Sequence, residues 1–229
     1  MEKVEELNIV ETNKKCIYQK TSKIFWIFII GSILGYIIEM IVGLVQNGRF
    51  VSRQGLLIGP FIQVYGVGLV TYYLVIGKIK NKNNIKIFVI SMILGGLIEY
   101  LFSLFQEKLF GTISWDYRNL PFNINGRTSL LHCIYWGFGG VLFVKYILPH
   151  LDKLDIGYKY KSFKIITIFC AIFIIFDITI SGLAGVRHLE RRKNIQPEGK
   201  VDIFLDKYYP DSKLREIYSN AKEVIIDEF

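Results

Sequence analysis

Ile24-Phe25-Trp26-Ile27-Phe28-Ile29-Ile30-Gly31-Ser32-Ile33-Leu34-Gly35-Tyr36-Ile37-Ile38-Glu39-Met40-Ile41-Val42-Gly43-Leu44-Val45 decides the fold class. It is an unbroken apolar run that carries a single charge, Glu39. A helix of about 20 such residues rises about 30 Å, the thickness of a bilayer's hydrocarbon core. Four further blocks follow, at about 56–76, 85–105, 130–148 and 163–183. The chain has 229 residues, 52% of them hydrophobic, with mean hydropathy +0.35. Because the apolar residues are blocked rather than dispersed at a period of 3.6 or 2, a soluble enzyme with one core is excluded. A disordered chain, poor in Ile, Leu and Phe, is excluded as well.

The expectation is an all-α, polytopic membrane protein with about five transmembrane helices. Residues 1–23 form a cytoplasmic N-terminal segment, 24–183 the transmembrane domain and 184–229 a polar tail. The first 23 residues mix acids and lysines, unlike the short basic start of a cleaved signal peptide, so the first block reads as a retained anchor. Pro60 suits the first turn of a helix and marks the start of the second span. Cys16, Cys133 and Cys170 lie far apart with no CxxC spacing, so neither a disulfide framework nor a metal site is expected.

The net charge of +8 reports orientation rather than a nucleic-acid partner, because polytopic proteins concentrate Lys and Arg in cytoplasmic loops. Lys14, Lys15, Lys20, Lys23, Lys78, Lys80, Lys82, Lys86, Lys153, Lys159 and Lys161 fall on the side of the N-terminus. Arg49, Arg53, Lys108, Arg118 and Arg127 fall on the other. This places the N-terminus in the cytoplasm of a bacterial plasma membrane. The tail opposes that assignment, since Arg187, Arg191, Arg192, Lys193 and Lys200 add five cations to the outer side.

Glu39, Glu99 and Asp177 lie inside apolar blocks. Such acids are costly in lipid and turn toward the bundle interior. Each sits about 14 residues into its block, roughly 21 Å along a helix, and the three blocks run the same way. The three carboxylates therefore share the outer half of the membrane with Arg49, Arg53, Asp116, Arg127 and His132. Close carboxylates need cations, and guanidinium groups supply forked hydrogen bonds. Glu39 and Glu99 are expected to pair with arginines from 49–53 and 127.

Ile33-Leu34-Gly35-Tyr36-Ile37-Ile38-Glu39 matches Ile93-Leu94-Gly95-Gly96-Leu97-Ile98-Glu99 at an offset of 60. Leu44/Leu104, Gln46/Gln106 and Phe50/Phe110 continue the match. Two spans separate the copies, which makes a parallel repeat of a two-span unit, a pattern known among transporters. Gly31-x-x-x-Gly35 suits close helix packing, within one chain or between copies, so the oligomeric state stays open.

Two connecting segments are rich in glycine and arginine. One runs from Gln46 to Gly66, the other from Trp115 to Arg127. Trp115 and Tyr117 suit an interfacial aromatic belt, and Asn125-Gly126 favours a turn. Irregular backbone at membrane depth survives only when buried in protein or lining a cavity, so a folded cap over the acids is expected. In the tail, Leu214, Ile217, Tyr218, Ala221, Val224 and Ile225 recur at helical spacing, predicting an amphipathic helix over Ser212–Ile226 after Pro210.

Gly35…Glu39, Gly55…Gly59-Pro60…Tyr65-Gly66-Val67-Gly68, Glu99, Trp115-Asp116-Tyr117…Asn123-Ile124-Asn125-Gly126-Arg127, Trp136-Gly137 and Pro149 together resemble the bacterial CmpB-type membrane proteins, ABC-transporter type IV. The resemblance spans roughly residues 25–215. That family often has Arg directly before the glycine at Gly55, where this chain has Gln54, and Pro where Gln63 stands. The resemblance implies a permease with a separate ATPase subunit as partner, beside the lipid bilayer. The sequence holds no GxxxxGK[ST] phosphate loop of its own.

No Ser–His–Asp order and no metal-spaced His pair occur, since His132, His150 and His188 are scattered. No catalytic residue, cofactor or metal is therefore assigned. The alternatives to a transport component are a membrane enzyme or sensor acting on a lipid or envelope molecule, and a structural partner of another membrane protein.

Overall fold

A computed structural model gives the architecture. It describes residues 2–50, 52–79, 83–151 and 160–224, the side chains of 2–15 and 47 excepted. Helix α1 (Glu2–Asn47) is continuous from the N-terminal segment through the first apolar block. Helix α2 (Gln63–Val75) is short, and a 3-10 turn extends it to Lys78. Helix α3 covers Asn84–Phe110. Helix α4 (Leu130–Leu142) passes through a π turn at Phe143–Ile147 into α5 (Leu148–Leu151). Helix α6 covers Lys161–Arg192.

Local chemistry sets these ends. Asn83 caps α3 by accepting the Ile85 N–H at 2.8 Å, and Gly111 closes it in the left-handed region at φ +62. Ser129 caps α4, its hydroxyl accepting from His132 N. Pro149 has no N–H to give the Lys145 carbonyl, and the ladder widens into the π turn just before it.

Four helical stretches are long and apolar enough to cross a membrane: Cys16–Gln46, Asn84–Phe110, Leu130–Leu151 and Lys161–Arg192. The second block differs from expectation. Its helix begins at Gln63 rather than near residue 56, and Pro60 stands three residues before it. At about 20 Å, α2 alone is shorter than the hydrocarbon core. Leu56–Pro60 stays non-helical because side chains and another helix take its polar groups. Ser181 Oγ accepts Leu57 N–H at 2.9 Å, Asp177 Oδ1 accepts Ile58 N–H at 3.1 Å, and the Ile62 N–H reaches the Ser32 carbonyl of α1 at 3.1 Å.

Helices α1, α3 and α6 run parallel, with α2 antiparallel to α1 and α4 antiparallel to α3. Trp26 Nε1 donates to Thr167 near one end, and Phe110 lies against Gly185 near the other. The core at the N-terminal end of the bundle holds Ile27, Tyr72, Ile76, Ile87, Phe143 and Leu148. On α3, Val89, Ile93, Leu97 and Leu101 share one exposed stripe, opposite Gly95, Gly96 and Glu99, which are buried. An exposed apolar stripe of this length is a lipid-facing surface. The protein is a multi-pass membrane protein.

The other end carries a folded cap, which corrects the all-α expectation in detail. Strand β1 (Thr112–Ile113) pairs with β4 (Lys222–Glu223), and β2 (Asn123–Ile124) with β3 (Thr128–Ser129), both antiparallel. The tail contributes α7 (Lys200–Tyr208) and α8 (Asp211–Ile217). The helix expected over Ser212–Ile226 therefore stops at Ile217, because Lys222 and Glu223 are drawn into the ladder with β1. Ile225 and Ile226 lie outside the described residues, as do Lys80, Lys82, Lys153 and Lys159. Leu57, Ala184, Leu205 and Leu214 form a second small core that fixes the tail to α6 and the 56–60 segment.

Candidate functional site

The polar centre sits under the cap, between α1–α2 and α3–α4. Glu39 of α1 accepts two hydrogen bonds, from Arg53 Nη1 at 2.9 Å and from the Tyr65 hydroxyl at 2.8 Å. Arg53 also donates to Gln46 at 2.9 Å, so its guanidinium clips two turns of α1. The expected pairing of Glu39 with an arginine of 49–53 is found, and it is Arg53 that makes it. Arg49 is exposed.

Glu99 is 7% exposed and is held differently. It accepts from Thr128 Oγ1 at 2.6 Å and from the Tyr117 hydroxyl at 3.0 Å. Among the described residues no Lys or Arg forms an ion pair with it. The expected Glu99–Arg127 pair is therefore corrected. Arg127 instead binds Glu107, two turns further along α3, at 2.6 Å. The reason is the β2–β3 hairpin. Arg127 closes the hairpin turn, its N–H bonded to the Ile124 carbonyl at 3.0 Å, and reaches Glu107, whereas Thr128 opens β3 and reaches Glu99.

Asp177 does not join these two. It is fully buried and holds the Ile58 N–H and the Ser181 hydroxyl. Its task is to carry the non-helical segment that precedes α2. Asp116 is also separate, locked by Arg118 at 2.6 Å. Hydrogen bonds from Arg118 hold the Asp116 carboxyl down at about 2, so it is ionised at any ordinary pH.

Trp115 and Tyr117, expected in an interfacial aromatic belt, have partners within the chain: Trp115 donates to the Arg127 carbonyl at 2.8 Å, and Tyr117 turns inward to Glu99. Burial, with the Glu99 charge beside it, raises the Tyr117 phenol well above its ordinary value, so it stays a donor. Its ring stacks on His132 at 3.8 Å. Thr128 and His132 complete a site that spacing alone did not assemble. The usable signal was the recurrence of tyrosine at the carboxylates, Tyr65 for Glu39 and Tyr117 for Glu99.

The glycines place these groups. A Cβ on Gly35 would overlap the Tyr65 ring, and one on Gly95 the Trp136 side chain. Gly66 lies against Phe28 and Ser32, so Gly31-x-x-x-Gly35 packs within the chain. Gly59 (φ +83), Asn125 (φ +53) and Gly126 (φ +70) make the turns of the two caps in the left-handed region. Asn123 Oδ1 accepts the Gly126 N–H at 3.0 Å, and the Gly126 carbonyl accepts from Tyr117 N at 2.8 Å. Gly55 is bound from both sides, its N–H to the Phe61 carbonyl and its carbonyl to Gln63 Nε2 at 3.0 Å.

Two of the tail's arginines, Arg187 and Arg191, are paired inside the tail. Arg187 forks onto Asp206 at 2.9 Å and reaches Glu190 at 3.0 Å. Arg191 bridges Asp206 and Asp211, each at 2.7 Å. Hydrogen bonds from Arg187 and Arg191 hold Asp206 below the usual carboxylate range. Asp211 is also lowered, because His188 and Arg191 overcome the opposing effect of burial.

Parallel helices with small residues at their crossings, acids turned inward and irregular backbone confined to a roofed cap define a multi-pass membrane protein with a polar centre. The chain belongs to the CmpB-type family described as "Putative ABC-transporter type IV", matched over residues 26–182. That range takes in both carboxylates, both glycine-rich caps and Asp177, and ends just before the tail. No curated protein and no solved structure matches the chain.

Proposed function

We propose that this chain is the membrane-embedded subunit of a transport system, built from two fused copies of a two-helix unit around the Glu39–Glu99 centre. One observation carries the reading: equivalent contacts recur in both halves. Gly35 abuts Tyr65, and Gly95 abuts Trp136. Gly66 lies against Phe28, and Gly137 against Phe88. Gly31 meets Leu69, and Ser91 meets Gly140. In every case the residues of α1 and α3 differ by 60 in number and those of α2 and α4 by 71. The equivalent positions also meet each other across the centre, Tyr65 with Trp136 at 5.5 Å and Tyr72 with Phe143 at 6.0 Å. Such pairing is what a pseudo-twofold axis along the membrane normal produces, and parallel repeats of this kind build transporters with central sites.

On this reading α2 and the segment before it make the fifth crossing, which gives the N-terminus and the cap opposite sides. The N-terminus is cytoplasmic and the cap is outside. Three of the five tail cations that count against this orientation, Arg187, Arg191 and Arg192, have acidic partners in Asp206, Asp211, Glu190 and Glu223, while Lys193 and Lys200 still count against it. A reporter fused after Val224 should be active only outside. A cytoplasmic signal would sink the topology.

The sequence has no phosphate loop, and the family's description as an ABC-transporter type IV supports a separate ATPase as the source of energy. Purification from membranes in mild detergent should bring down a nucleotide-binding subunit. Turnover of a lipid or envelope molecule by the chain alone, abolished by Glu99→Gln and with no such subunit present, would make it an enzyme instead.

A further inference from the structure

Outside the carboxylate centre, the cap encloses a cavity of about 120 Å³. Ser103 and Glu107 of α3 line it, with Trp115, Asp116, Arg118 and Arg127 from the segment that follows. Two features set it apart from a packing defect. Ser103 is 2% exposed, and its hydroxyl has no hydrogen-bond partner among the described residues. Arg127 Nε is likewise buried and unpartnered, although the same guanidinium holds Glu107. A buried donor left unmatched costs about 1–3 kcal/mol, so two in one cavity call for a guest with acceptors.

We propose that this cavity binds a compact zwitterion, an ammonium joined through a few bonds to a phosphate or carboxylate. The lining carries two acids, Glu107 and Asp116, and two arginines, Arg118 and Arg127, so its formal charge cancels. A net ion gains little from such a wall, whereas a dipolar guest matches both signs. Its anionic end meets Arg127 Nε–H and the Ser103 hydroxyl. Its ammonium meets the Glu107 oxygen that Arg127 leaves free. At about 30 Å³ per water the space takes about four waters, and against a cavity of about 150 Å³ that takes benzene it suits about six heavy atoms, with any remainder of the guest at the open mouth. Arg118, with 71% of its side chain exposed, stands at the mouth, so entry is from the aqueous side of the cap.

Glu99, Ser103 and Glu107 are spaced i, i+4, i+8 along one face of α3, a polar line of roughly 12 Å from the cavity to the carboxylate centre. This makes the cavity the receiving site for the transported molecule. That role rests on the transport reading, whereas the binding itself does not.

The test uses the full chain in phosphatidylglycerol nanodiscs, titrated calorimetrically with O-phosphoethanolamine, ethanolamine and inorganic phosphate. Phosphoethanolamine should bind saturably, about tenfold tighter than either fragment. Ser103→Ala should weaken binding about fivefold with no loss of thermal stability, since that hydroxyl supports nothing else. Arg127→Lys, which keeps the charge near Glu107 but has no Nε–H, should weaken it about tenfold. Phosphatidylethanolamine added to the discs identifies the source. If a lipid head occupies the site, the free probe is displaced, and if a solute does, the probe is unaffected. Equal binding of phosphate alone, unchanged binding by both variants, or no saturation at millimolar probe would overturn the proposal. Because no ATPase enters this experiment, its failure would leave the transport reading standing.

Discussion

Glu39 and Glu99 occupy matching places in two parallel helices, each one turn beyond a glycine that seats an aromatic ring. Each takes a hydrogen bond from a tyrosine of the segment that follows. Beyond that they diverge. Glu39 is met by a guanidinium that reaches down from the first cap, whereas Glu99 is met by two hydroxyls and sits deeper. A carboxylate with a fixed cation is a structural strut. One held only by hydroxyls is open to a proton or a passing cation, because nothing permanent cancels its charge. The divergence leaves one carboxylate ion-paired and the other held by hydroxyls alone within one architecture.

The glycine-seated packing of α1 on α2 and of α3 on α4 can be broken first. Gly95→Leu would drive a side chain into Trp136 and should leave no folded protein in detergent, and Gly35→Leu should do nearly the same against Tyr65. Gly139→Ala and Gly182→Ala, where a Cβ meets nothing, should keep the thermal midpoint. Loss of folding in these controls would refute the close-packing account.

The next largest effect separates the two acids. Arg53→Gln strands a partly buried carboxylate and should cost about 2 kcal/mol, read as a lower denaturation midpoint. Adding Glu39→Gln should return much of it, a coupling visible in a double-mutant cycle. Glu99→Gln keeps an acceptor for one hydroxyl and should cost only about 1 kcal/mol. A Glu99→Gln loss larger than that of Arg53→Gln would reverse the assignment of strut and working group.

A smaller, pH-dependent effect concerns the tail. Asp206 and Asp211 have folded-state values lowered by their cationic partners. Their contribution is therefore complete above the unfolded carboxylate range and is lost as pH falls through the lowered values. Below about pH 4 the tail should loosen from α6, measured as rising mobility of a spin label at Ser212. Unchanged mobility down to pH 2 would show that Leu205 and Leu214 hold it unaided. The smallest effect belongs to Arg118→Ala. Its exposed pair with Asp116 should matter little to stability, by thermal unfolding.

Much of this was legible in the sequence because hydropathy and charge are local signals. The long spans follow from block length, and the Glu39–Arg53 pair from an acid in lipid with arginines nearby. What escaped depended on contacts distant in sequence. Leu56–Pro60 has the composition of a helix, but Asp177 and Ser181, more than a hundred residues later, take its amides. Arg127 and Glu99 are complementary in charge, but the hairpin sets Arg127 in its turn, against Glu107, and brings Thr128 to Glu99. In the tail, α7 went unseen, although Asp202 accepts from the N–H groups of Glu198 and Gly199 at 2.9 and 3.2 Å, a helix-start signal. Ser212–Ile226 looked helical by period, yet its last part serves a strand.

The ladder between Thr112–Ile113 and Lys222–Glu223 also constrains biogenesis. One partner emerges from the ribosome about a hundred residues before the other. Until the second arrives, the roof over α3 has an unpaired edge, and Arg192 lacks the Val224 carbonyl that it later ties to that of Gly111, each at 2.8 Å. Insertion of the helices and closure of the roof are thus separate events in time. A nascent chain passes through a stage in which its helices are made and the carboxylates have their partners, while the edge at Thr112–Ile113 still waits for its own.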